Sequence, residues 1–179
     1  MAKLPAGRGK PILYLDYDGV LHPENVVRTR RRGPVLSGYP GHLLFEHVEA
    51  LHHALEPYPE VLIVLSTTWV QVQRYSRARR HLGPLLPRVI GATYHSAMPK
   101  DVFQGMSRGL QVWADVRRRQ PGAWLALDDD AHDWPAWARG NLVHTDDEFG
   151  VAHPAVWAEF HSKLEQAVLA VRSANQVPA

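Results

Sequence analysis

Residues 14–22 read YLDYDGVLH. An apolar run from Ile12 closes on two aspartates, Asp16 and Asp18, and Gly19 then turns the chain back into apolar residues. A short stretch that is apolar throughout and ends at a turn former reads as a buried strand, here Ile12 to Asp16. Two carboxylates at the mouth of such a strand repel one another unless something positive lies between them. The rest of the chain has to explain them.

Working outward, Pro23, Gly33, Pro34, Gly38 and Pro40 punctuate residues 22–40, which read as an irregular flap. Leu44, Val48, Leu51 and Leu55 share one helical stripe over 41–55. The run VLIVL at 61–65 has no polar alternation, the pattern of a strand covered on both faces, and Ser66, Thr67 and Thr68 close it. A helix over 69–82 follows, then a strand over 88–93 and a helix over 106–119. Ala123 to Leu127 is a strand that runs into Asp128, Asp129 and Asp130, and Asn141 to His144 is a fifth. The last helix begins near Pro154, whose missing N–H costs nothing in a first turn, and residues 173–179 read as a loose tail. Strands alternating with helices predict an α/β fold, a three-layer Rossmann-like parallel sheet of five strands with helices on both faces. Ligand sites of such sheets gather at the carboxyl ends of the strands, where Asp16, Asp18, Ser66 and Asp128 to Asp130 fall.

At 179 residues the chain is read as a single domain over 1–179, with a core large enough to need no staples. The absence of cysteine excludes a disulfide framework, a thiolate metal site and a cysteine nucleophile. No apolar run approaches membrane-spanning length and MAKLPAGRGK lacks the apolar stretch of a secretory leader, so a cytoplasmic protein with no membrane partner is expected. The formal charge is only +2, yet arginines cluster at 28–32, 77–80 and 117–119. His47, His52 and His53 lack the i, i+4 spacing of a helical zinc site. His22 reads as a surface residue, while Trp69 is expected to pack, with stacking on a base as the alternative.

Oxygen-rich acidic sites suit Mg²⁺, which takes one or two carboxylates together with substrate phosphate. A neutralised phosphoryl group invites attack by a carboxylate, and the resulting aspartyl-phosphate is opened by water. A second carboxylate nearby can move protons to the leaving oxygen and from the water. A hydroxyl at Ser66 and a cation at a helix start complete a phosphate site.

These residues resemble the haloacid dehalogenase (HAD) superfamily of phosphohydrolases. DYDGVL at 16–21 is similar to its first motif, VLIVLS at 61–66 to its second and LALDDD at 125–130 to its fourth, so the resemblance spans about residues 11–146. It implies a HAD-type phosphoric monoester phosphatase that uses Mg²⁺. Asp16 would be the nucleophile and a metal ligand, and Asp18 the general acid/base whose carbonyl meets the metal. Asp128 would be the third protein ligand with Asp129 supporting through water, and Asp133 is a rival acidic position. Ser66 and Gly19 would line the phosphate, and its neutralising cation is Arg108, in the first turn of a helix, or Lys100. LSTTW, RGLQVWADV, LALDDD and HTDDEFG are further similar to HAD-like domains of RNA-repair proteins, in which Thr145 to Gly150 would help shape the pocket. The room between motifs implies little or no cap, and an open site suits a substrate with its own bulk: a phosphorylated RNA or DNA end, a nucleotide or a phosphoprotein. Arg28 to Arg32 would then meet a polyanion. Two other classes compete, a receiver-like switch, which the last strand NLVHTDD disfavours by offering no lysine, and a catalytically silent nucleic-acid-binding module.

Overall fold

The computed structural model describes residues 5–176. β1 (Pro11–Leu15) lies in the middle of a five-stranded sheet, flanked on one side by β4 (Leu62–Leu65) and β5 (Val89–Ala92) and on the other by β6 (Ala123–Asp128) and β7 (Leu142–His144). Every pairing is parallel. Alternate residues of β1 feed two cores, as the two-residue period of a strand requires. Leu13 and Leu15 join Ile63, Leu65, Leu125 and Leu127 beneath α1 (Val48–Leu55) and α6 (Pro154–Gln176), where Leu51, Leu55, Phe160 and Leu164 meet them. Ile12 and Tyr14 join Val64 and Ala126 under Val112 and Val116 of α5 (Arg108–Arg119). Each such side chain removed from water contributes roughly 1.5–3 kcal/mol, which is why an uninterrupted apolar run settles at the centre of three layers.

The chain moves outward from β1 through β4 to β5, then crosses back to β6 and β7 on the other side. β1 is therefore the point at which the winding reverses, and its carboxyl end is where a doubly wound sheet opens a crevice. No helix among the described residues is long and apolar enough to cross a membrane.

Several elements depart from the sequence-based expectation. Residues 22–40 are not irregular throughout: β2 (Val26–Thr29) and β3 (Gly33–Leu36) pair antiparallel. Thr29 closes the connection, accepting from the Arg32 N–H at 3.0 Å and donating to the Gly33 carbonyl at 3.2 Å. The helix expected over 41–55 starts only at Val48, because Phe45 adopts φ 62 and its N–H turns away to His22. The helix expected over 69–82 is broken at Arg74 (φ 68, ψ 151) into α2 (Trp69–Gln73) and α3 (Tyr75–Ala78), followed by tight 3₁₀ turns over Arg79–Arg88. The break brings the Ala78 carbonyl to the buried Tyr17 hydroxyl, which donates to it at 3.1 Å. A short α4 (Lys100–Gln104) lies between the strand expected over 88–93 and the helix expected over 106–119, where the sequence reading assigned no element. α6 continues to Gln176, so residues 173–176 are helical rather than a tail, and 177–179 lie outside the described residues.

Candidate active site

The strand register builds the centre. Leu15 pairs with Leu65 on one side and Leu127 on the other, so the next residue of each strand, Asp16, Ser66 and Asp128, arrives side by side where the sheet ends. The ladder continues one step further, with the Ser66 N–H donating to Leu15 O at 2.8 Å and the Asp16 N–H to Leu127 O at 3.1 Å. All three side chains are buried. Gly19 (φ +64) then turns the chain so closely over Asp129 that a Cβ there would run into its carboxylate. The Thr145 hydroxyl donates to Gly19 O at 2.7 Å and the Val151 N–H to Val20 O at 2.9 Å, so the 145–151 stretch braces this loop.

Arg108, the first residue of α5, reaches between the strand ends. Its guanidinium donates to Asp16 Oδ2 at 3.0 Å and to the Ser66 carbonyl at 2.6 Å, and its Nε lies 3.4 Å from Asp128 Oδ2. Gly109 lets the helix start pack tightly against Trp134 and Pro135, since a Cβ there would lie 2.6 Å from Pro135 Cδ. Lys100, the other candidate cation, is exposed at the first position of α4 and makes no ion pair among the described residues. Asp133 is also exposed, 3.3 Å from His132, and is not among the three clustered carboxylates.

One arginine faces Asp16, Asp128 and Asp129, whose carboxylate oxygens lie within 4.8 Å of one another. Burial pushes the Asp16 carboxyl up against the opposing pull of Arg108, and pushes Asp128 well up, with Asp16 adding to the effect. Asp129 rises to about 7 for the same two reasons, burial first and Asp16 second. Burial works against the Arg108 charge, but Asp16 and Asp128 outweigh it and hold the guanidinium protonated. The group is thus short of positive charge. Asp128 Oδ2 is buried without a hydrogen-bond partner, and so is Ser66 Oγ. An orphaned buried hydroxyl costs on the order of 1–3 kcal/mol, and Asp128 Oδ2 has only the 3.4 Å ion-pair contact with Arg108, so a hard cation on the carboxylates and a phosphoryl oxygen at Ser66 fit the residues present.

Asp18 occupies a different environment. The Trp69 indole N–H donates to both of its carboxylate oxygens, at 2.9 Å each, and His22 Nε2 lies 3.0 Å from Oδ1. The Phe45 N–H donates to His22 Nδ1 at 3.3 Å, which makes that nitrogen an acceptor and leaves Nε2 as the one bearing the proton toward Asp18. His22 is wholly buried among Phe45 and Trp69, contrary to its reading as a surface residue. Trp69 packs as expected, 5% exposed, but its polar edge serves Asp18. The i, i+4 spacing from Asp18 to His22 was the only sequence signal for this grip; Phe45 and Trp69 come from elsewhere in the chain.

A family model described as the HAD domain in Swiss Army Knife RNA repair proteins matches residues 12–156. No curated protein matches the chain, and no solved structure does.

Proposed function

The chain belongs to the family of HAD domains of Swiss Army Knife RNA repair proteins, and on that premise we propose that it is a phosphomonoesterase that removes a terminal phosphate from a nucleic-acid strand through an aspartyl-phosphate on Asp16. The observation that carries this reading is the grouping at the end of β1: a buried carboxylate between an unpartnered Ser66 hydroxyl and a carboxylate cluster, with Arg108 laid across them.

In this reading Ser66 and Arg108 bind the phosphoryl oxygens and aim the phosphorus at Asp16. An Asp16 oxygen bonds to phosphorus as the bond to the leaving oxygen breaks, and Asp18 gives that oxygen a proton. Asp18, now a carboxylate, takes a proton from the incoming water, which bonds to phosphorus and releases Asp16. Trp69 and His22 keep Asp18 aimed throughout. Asp16, Asp128 and Asp129 are the side chains that would hold Mg²⁺, joined by the Asp18 carbonyl, and the ion would neutralise charge on the transferring group. Phosphate release from an aryl phosphate in the presence of Mg²⁺ tests the reading. Asp16→Asn is expected to abolish turnover, and full activity in that variant would overturn it.

A further inference from the structure

Beyond Asp18 the surface continues as a groove. A cavity of about 180 Å³ is lined by Asp18, Val26, Arg28, Thr68, Trp69 and Val72. Arg28 also lines the next cavity, of about 530 Å³, between the β2–β3 hairpin, which supplies Arg30, and the α2–α3 segment with the 3₁₀ turns after it, which supply Gln73, Arg77 and His81. Asp18 is the sole acidic residue in either lining. Arg28, Arg30 and Arg77 are exposed, and among the described residues none makes an ion pair, whereas Arg108, Arg118, Arg119 and Arg172 all do. Three unneutralised guanidiniums around one trough repel one another, and a ligand carrying regularly spaced negative charge relieves that repulsion.

The direction of the groove matters as much as its charge. Asp18 faces the leaving oxygen, so the alcohol part of the substrate departs on Asp18's side, which is where the groove begins. We infer that this groove holds the phosphodiester backbone of a single-stranded polynucleotide whose terminal phosphate lies against Asp16, with Arg28 nearest the reacting end and Arg30 and Arg77 further along the strand. The direction rests on the phosphatase reading above; the charge of the groove does not. A peptide carrying one phosphate would spend its only strong anion at Asp16 and offer the three arginines nothing, whereas each added nucleotide brings a further phosphate.

The test compares kcat/KM for Mg²⁺-dependent phosphate release from a nucleoside monophosphate, from end-phosphorylated di-, tri- and tetranucleotides, and from a phosphoserine peptide. Separate arms use ribose and deoxyribose and place the phosphate at the 3′ or the 5′ end. At least a tenfold rise from mononucleotide to trinucleotide is expected in one or more arms. An end-phosphorylated tetranucleotide carries three phosphates beyond the one at Asp16, so if all three arginines each meet one of them its log–log salt slope is about −2, at about 0.7 per phosphate of a single strand. Arg28→Ala and Arg77→Ala are each expected to lower the tetranucleotide-to-mononucleotide ratio several-fold and to flatten that slope. The ratio is read within one variant, so a partly unfolded preparation does not imitate the result. Equal kcat/KM at every length, or preference for the peptide, overturns the groove while leaving the phosphatase standing. Anisotropy titration of a labelled single strand onto Asp16→Asn separates the two claims from the other side. Salt-sensitive binding weakened by adding Arg77→Ala, with no hydrolysis of any substrate by the native chain, keeps the groove and overturns the phosphatase reading.

Discussion

Trp69 reaches across 51 positions of sequence to place its indole N–H 2.9 Å from both oxygens of Asp18. A bifurcated bond of this kind fixes where the carboxylate lies and in which plane, and it comes from a residue that is itself immobilised by Tyr17, His22, Phe45 and His81. In Trp69→Phe the aromatic packing largely survives while the donor disappears. We expect kcat to fall on the order of tenfold with an alkyl phosphate, whose leaving oxygen needs a proton, and far less with a nitrophenyl phosphate, whose leaving group does not. Equal losses on both substrates would show that Trp69 supports the fold rather than Asp18.

His22→Gln probes the other half of the grip. The variant keeps an amide N–H able to reach Asp18 but loses the ring that Phe45 and Trp69 enclose. His22→Ala removes both and leaves a cavity beneath the loop, a change that typically costs a few kcal/mol. The expected order of kcat for an alkyl phosphate is native, then Gln, then Ala, with urea unfolding separating lost stability from lost positioning. A His22→Ala protein with native kcat would remove His22 from any role at Asp18.

Arg108 and Lys100 give opposite expectations. Arg108 is hydrogen-bonded to Asp16 and to the Ser66 carbonyl and lies across Asp128, so Arg108→Met takes the sole guanidinium away from three close carboxylates. Breaking a buried pair in this way costs about 3–5 kcal/mol where the stranded charge stays buried. Here the carboxylates would take up protons and soften the loss. Turnover is expected to drop at least a hundredfold, and KM for phosphate esters to rise. Lys100→Met, at an exposed position without an ion pair among the described residues, should leave both within about twofold. Steady-state kinetics of the two variants on one aryl phosphate decide between them, and a large loss in Lys100→Met alone would reassign the cation.

The centre of this site was legible because parallel strands buried on both faces are written as uninterrupted apolar runs. The first polar residue after each run, Asp16, Ser66 or Asp128, is therefore the one that the sheet delivers to its carboxyl edge. What surrounds the centre was less legible. The β2–β3 hairpin is half exposed and is interrupted by Arg28, Arg30 to Arg32, Gly33 and Pro34, so it carries neither alternation nor a continuous apolar run. The break at Arg74 falls where no Gly or Pro announces it, and the backbone there is set by tertiary contacts, among them the Tyr17 hydroxyl on the Ala78 carbonyl. His22 looked like a surface residue because its neighbours in sequence are a turn and a proline. The rings that bury it arrive from α2 and from the left-handed turn at Phe45.

The carboxylate cluster should couple stability to pH in a direction opposite to that of ordinary ion pairs. Asp129 titrates at about 7 in the folded chain against an ordinary value of 3.8, and Asp16 and Asp128 are raised as well. Between those two pH values the native state holds protons that the unfolded chain has released, so stability falls as pH rises through this window and levels off above it. A divalent cation binds the deprotonated carboxylates and should reverse the trend. Thermal unfolding without divalent ions is therefore expected to give a higher Tm contribution from this cluster at pH 5 than at pH 7.5. The increase in Tm on adding Mg²⁺ should be larger at pH 7.5. In Asp129→Asn the pH effect without metal should shrink, and in Asp128→Asn the Mg²⁺ effect should largely disappear. A Mg²⁺-induced shift that is the same at both pH values, and unchanged in Asp128→Asn, would show that the ion binds elsewhere.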